Sequence, residues 1–192
     1  MHHCTPDSEC MTTTPFDALR FVVLSLALTA CGPSLTILHR GAEAGRLQVD
    51  APLHAHQSVA IAAPRARVYA LLSGFSQWPQ WQPNISSVTG PRSVAPGEHF
   101  SWKNGSAEIS SQLAAVTPDE LLAWTGSVST AKAVHIWRLS SPTPDTTLVD
   151  VEETMDGFLL TLFYGQADLE ADMGRSLVNL RVAAEGNARE TK

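Results

Sequence analysis

After residue 31 the chain has no cysteine; its three lie at positions 4, 10 and 31. A domain built from the remainder has no disulfide, no thiol nucleophile and no cysteine-bound metal, and must rely on its core. Long apolar runs are missing as well. The uncharged stretch 21–30 has ten residues, half of the about 20 that a helix needs to cross a bilayer. Blocks of like charge are missing: 13 basic and 19 acidic side chains, a net of −6, are spread along the chain. That excludes a basic stripe for nucleic acid. No glycine-rich phosphate loop is present, which argues against nucleotide cofactors, and no cofactor is expected. Ser110 and Ser111 lack the flanking glycines of a nucleophile elbow. His54 and His56 form an H-x-H pair, but zinc needs a third and a fourth ligand, and no motif supplies them. No metal is expected.

What is present begins with Arg20, the apolar stretch 21–30 and the tetrapeptide Leu28-Thr29-Ala30-Cys31. The order is that of a secretory signal with small residues near its cut. The tetrapeptide resembles a bacterial lipobox, which implies cleavage before Cys31 and acylation of its thiol. A plain signal peptide or a buried helix is the alternative. Residues 1–10 are polar and carry two acids, so a start at Met11 gives a signal of ordinary length. This reading makes 1–30 a signal peptide and Cys31 a lipid anchor. It puts the protein in a bacterial envelope, on the periplasmic side of the outer membrane in a Gram-negative host, because Gly32 is not Asp. Residues 31–52, with Gly32, Pro33, Gly41 and Gly45 and no clear period, read as a flexible tether. The chain without its first 30 residues has 162, with 12 basic and 16 acidic side chains, which suits one domain. That domain is expected over 53–187, with a tail at 188–192.

From His54 the pattern is regular. Alternation over 54–61 predicts a strand. Pro64 then opens a helix, a position where its missing N–H costs nothing, with Val68, Leu71, Leu72 and Phe75 on one face and Gly74 as a stop. Pro79 and Pro83 prevent a long helix over 77–83. Strand-like runs follow at about 84–90, 97–104, 106–116, 120–127, 131–140 and 146–155. Asn104-Gly105 marks a hairpin, and Pro118-Asp119 and 142–145 mark turns. Short connections favour an antiparallel meander. Last, Leu169, Met173, Leu177, Leu180 and Ala184 form one apolar stripe at helical spacing, with Asp168, Glu170, Asp172, Arg175 and Arg181 on the other faces. The fold class is α+β: an antiparallel sheet covered by one long helix, an arrangement that leaves a hollow between them.

Four segments carry a family resemblance. They are 59–72 (VAIAAPRARVYALL) with 75–81 (FSQWPQW), Leu122-Ala123-Trp124-Thr125-Gly126 with His135-Ile136-Trp137, 147–153 (TLVDVEE) with Gly157, and the terminal amphipathic helix. In order and spacing these resemble the START-like SRPBCC superfamily, also described as polyketide cyclase/dehydrase and lipid transport proteins, over about residues 54–186. The resemblance implies a helix-grip fold, a curved antiparallel sheet around the C-terminal helix, with an apolar cavity between them. It leaves function open, because that fold hosts carriers, cyclases, hydrolases and regulators.

The five tryptophans are a large load for this length. Trp137 shares a strand face with Ala133, His135 and Leu139, and Phe100 shares one with Trp102. If these faces turn inward, the cavity suits a flat or greasy ligand; otherwise they fill a small core. The expected lining is Trp78, Trp81, Phe100, Trp102, Trp124, His135, Trp137, Val151, Glu153, Phe163, Met173 and Leu177. His135 and Glu153 are the only evident acid–base pair, and the resemblance turns both inward. Burial would raise one pKa and lower the other, which allows proton transfer at neutral pH. The plainer alternative is a satisfied polar pair joining two strands, preferred because no further histidine or acid reinforces a catalytic site. The expected function is membrane-tethered binding or carriage of a hydrophobic small molecule or lipid. The alternatives are a cyclase-, dehydrase- or hydrolase-like enzyme using His135 and Glu153, and a non-catalytic envelope scaffold.

Overall fold

The computed structural model describes residues 32–129 and 131–186. The segments expected as signal peptide (1–30) and tail (188–192), and Cys31, lie outside the described residues. Seven strands form one sheet: β1 (Leu53–Ile61), β2 (Ile85–Thr89), β3 (His99–Asn104), β4 (Ala107–Thr117), β5 (Leu121–Val128), β6 (Ala131–Thr143) and β7 (Thr146–Gly157). Their order is β1-β7-β6-β5-β4-β3-β2, and every neighbouring pair is antiparallel. Consecutive strands from β3 to β7 are joined by turns of two or three residues, and β2 reaches β3 through the longer connection 90–98. The hairpin expected at Asn104-Gly105 forms with Gly105-Ser106 as its turn, because Asn104 pairs with Ala107; Gly105 has φ 58°, a backbone that glycine takes without strain. β4 carries an extra residue, Ala114, between the pairs Leu113↔Trp124 and Ala115↔Ala123. Such a bulge bends a strand and increases its twist, and it helps the sheet to curl.

The helices divide between the two faces. Helix α1 (Leu35–Glu43) lies outside the curl. Helix α2 (Arg65–Ser73), a 3-10 turn over Phe75–Gln77, helix α3 (Trp78–Trp81), helix α4 (Leu160–Phe163) and helix α5 (Gln166–Gly186) follow. Pro64 precedes α2, and Pro79 sits in the first turn of α3, which is only four residues long. Helix α5 lays the expected stripe, Leu169, Met173, Leu177, Leu180 and Ala184, into the concave face, all five buried. Ile61, Val68, Leu72, Leu113, Val149 and Val151 join them in the inner core. Leu180 and Ala184 are fully buried, whereas the N-terminal half of α5 faces a hollow.

The tether expected over 31–52 is corrected by α1. Ser34 caps this helix, and its hydroxyl accepts from the Ile37 N–H. Leu38 and Ala42 are buried against Ala114, Ala123, Val134 and Ile136 on the convex face of the sheet. His39 Nδ1 meets Thr125 Oγ1 at 2.9 Å, and Arg138 donates to the Gly45 carbonyl at 2.9 Å. The glycines that suggested flexibility have structural places instead. Gly41 lies inside the helix. Gly45, at φ 66°, follows its end, where the N–H groups of Gly45 and Arg46 return to the carbonyls of Ala42 and Gly41. This is a left-handed helix stop of the Schellman kind. Without α1, Val134 and Ile136 would face water.

Candidate functional site

The hollow between sheet and α5 is a cavity of about 350 Å³, within the range of small-molecule sites. Alternation along the strands builds it. Trp102 on β3, Trp124 on β5, His135 and Trp137 on β6, and Val151 and Glu153 on β7 all face inward. Trp78 and Trp81 close one side from α3, and Met173 from α5. These nine are among the twelve positions expected to line it. Three expected positions differ. Phe100 is buried behind the wall, its ring 4.6 Å from Phe75 and 6.1 Å from Trp124, and supports the lining without forming it. Leu177 is buried in the core and is not part of the lining. Phe163 is 86% exposed, because α4 turns Leu160 and the following Tyr164 toward the cavity and Phe163 away.

The aromatic wall is continuous. Trp78 meets Trp102 edge-on at 5.7 Å, Trp124 lies nearly parallel to Trp137 at 6.4 Å, and the His135 ring stacks on Trp124 at 4.9 Å. Buried indole N–H groups normally find acceptors. Trp78 donates to the Leu72 carbonyl at 3.0 Å and Trp102 to Ser111 Oγ at 3.1 Å. The indole nitrogens of Trp81, Trp124 and Trp137 are buried without a partner among the described residues. An unpaired buried donor costs about 1–3 kcal/mol, and three of the rings around the cavity each carry one.

His135 and Glu153 stand opposite each other in the β6–β7 register, with Nε2 and Oε1 3.2 Å apart. Burial pulls the imidazole down to about 3 and pushes the carboxyl up to about 8. Both effects favour the neutral forms. At neutral pH the pair is therefore a carboxylic acid facing a neutral imidazole, one proton held in an apolar box. A polar group that the sequence pattern did not single out stands nearby. Tyr164 donates to Asp172 Oδ2 at 2.8 Å, Asp172 pairs with Arg175, and all three line the cavity. The Tyr164 hydroxyl is shifted upward by burial first, then by the charges of Glu153 and Asp168, with Arg175 opposing. Asp172 and Arg175 read in the sequence as part of the polar outer face of α5; only the seating of the helix brings them to the cavity.

Comparison with known proteins agrees with this architecture. A family model described as polyketide cyclase / dehydrase and lipid transport matches residues 52–185. A START superfamily protein from Mycobacterium smegmatis superposes with a TM-score of 0.56 at 16% identity, covering 72% of this chain and 99% of that one. The Zhui aromatase/cyclase from Streptomyces sp. R1128 gives 0.56 at 15% identity, over 71% and 93%. A hypothetical protein from Helicobacter pylori gives 0.61 at 13% identity, over 71% and 90%. At these identities the likeness is one of fold. No curated protein matches the chain. The family match, the seven-stranded curved sheet and the helix it grips together make the chain a member of the START-like polyketide cyclase / dehydrase and lipid transport family.

Proposed function

We propose that the protein binds or carries a hydrophobic small molecule or lipid in this cavity while tethered to a bacterial envelope membrane through Cys31. The observation that carries the binding half is a cavity of about 350 Å³ walled by Trp78, Trp81, Trp102, Trp124 and Trp137, with His135 and Glu153 as its buried polar contact. The complement of such walls is a flat or greasy, largely apolar ligand. The neutral His135–Glu153 pair supplies a donor for its polar end. The tether rests on the tetrapeptide 28–31 after its short apolar run.

One experiment addresses both halves. Protein extracted from host membranes is weighed intact under native and denaturing conditions. The expected result is a chain beginning at Cys31 with acyl mass attached, and an apolar compound bound near one to one that denaturation releases; Cys31→Ala should leave unprocessed precursor. A chain without acyl mass would defeat the tether, and a chain without bound compound would defeat the carrier. A second reading, an enzyme of cyclase, dehydrase or hydrolase type, is favoured by the shared proton of His135 and Glu153. It requires turnover of the bound compound, falling about 10²–10⁴-fold in Glu153→Gln.

A further inference from the structure

β7 ends at Gly157, and the chain turns through Leu159 at φ 63° into α4. This is a left-handed backbone that a Cβ disfavours and that glycine takes freely, yet a leucine occupies it. Leu159 is 48%, Leu162 69% and Phe163 86% exposed. No charged residue occurs from Gly157 to Gly165. Leu160 and Tyr164, alternating with these, line the cavity. The turn thus has an inner face that forms the cavity rim and an outer face of large apolar side chains, the kind of contiguous patch that marks an interaction site.

The same end of the sheet receives the chain from its N-terminal segment. Ala131 stands opposite Gly157 in the β6–β7 register, and the next residue, Lys132, lines the cavity. Its ammonium donates to the Pro33 carbonyl at 2.9 Å. Pro33 follows closely on the apolar stretch 21–30 and Cys31. Cavity rim, exposed apolar turn and the first described residues of the chain therefore converge at one end. We infer that the 157–165 turn docks into a lipid bilayer, with Leu159, Leu162 and Phe163 among the acyl chains and the cavity rim against the membrane. A bilayer covers such side chains without a shaped partner, and an uncharged turn loses no ion hydration on entering it. A membrane also accounts for the greasy segment that leads into Pro33. The docking itself is independent of the ligand reading; only its use, loading the cavity from the bilayer, rests on that reading.

The full chain with Cys4, Cys10 and Cys31 changed to serine carries a single environment-sensitive nitrobenzoxadiazole label, either at Leu162→Cys or at Asp145→Cys in the β6–β7 turn at the far end of that hairpin. Vesicles of phosphatidylethanolamine and phosphatidylglycerol, with nitroxide on the acyl chains, are the probe. Position 162 should brighten on vesicles and lose most of its emission to the nitroxide, while position 145 keeps its emission. The added change Phe163→Asp should weaken the quenching at 162. Equal quenching at both sites, or none at 162, would overturn the inference. So would a concentration-dependent change at 162 without vesicles, which would make a second copy the occupant. An apolar dye that still fills the cavity of a protein dry at 162 would leave the ligand reading intact while docking fails.

Discussion

Glu153 holds its proton against an ordinary value of 4.5 up to about 8, and His135 refuses one until about 3 against an ordinary 6.5. The consequences for stability have opposite signs. Between about 4.5 and 8 the folded state keeps a Glu153 proton that the unfolded chain has lost, so stability falls as pH rises. Between about 3 and 6.5 the unfolded chain holds a His135 proton that the folded state lacks, so stability rises with pH. The two cancel in the overlap, and the pair leaves a net decline from about 6.5 to 8. Chemical denaturation across that range should show wild type losing stability while Glu153→Gln stays nearly level. Parallel curves for the two proteins would mean that the carboxyl is already ionised in the fold. These two residues were legible in the sequence because strand alternation fixes which side chains share a face. Tyr164, Asp172 and Arg175 were not, since the seating of a turn and a helix decides their direction, and no periodicity encodes it. Phe163 differs for the same reason: the seating of a four-residue helix after a left-handed turn decides which of its side chains meet the cavity.

Among the elements, α5 was the plainest in the sequence. Its five-residue stripe at helical spacing is the buried stripe of the structure. Leu177, 4% exposed among the inner core side chains, should cost about 2–5 kcal/mol when changed to Ala, as large-to-small core substitutions do. Urea melts measure this directly, and a change near zero would mean that the stripe does not carry the packing against the sheet. The strands were equally legible, because turn residues bracket them and their β-branched and aromatic residues mark extended runs. Helix α1 was hidden. Its buried positions, Leu38 and Ala42, are only two, and the glycines beside them imitate a linker. The information that makes it a helix is on the other side of the contact, in Ala114, Ala123, Val134 and Ile136. These apolar residues of the convex face alternate with the cavity-facing residues and give β5 and β6 two buried faces.

For the molecule as a whole, the two ends of the gripped helix do different work. The C-terminal half of α5 packs tightly, with Leu180 and Ala184 at 0% exposure. The N-terminal half, with Asp172, Met173 and Arg175, leaves the space that the tryptophans line. A filled core would suit a scaffold; a tryptophan-walled cavity of about 350 Å³ is what the proposed container requires. Titration with N-phenyl-1-naphthylamine, an uncharged flat dye, tests that claim most directly, read as energy transfer from the tryptophans. Wild type should saturate near one dye per chain. Ala133→Phe, which puts a ring into the cavity beside His135 and Trp137, should lose that transfer while melting as a folded protein. Equal saturation in both, or no transfer in wild type, would contradict the account.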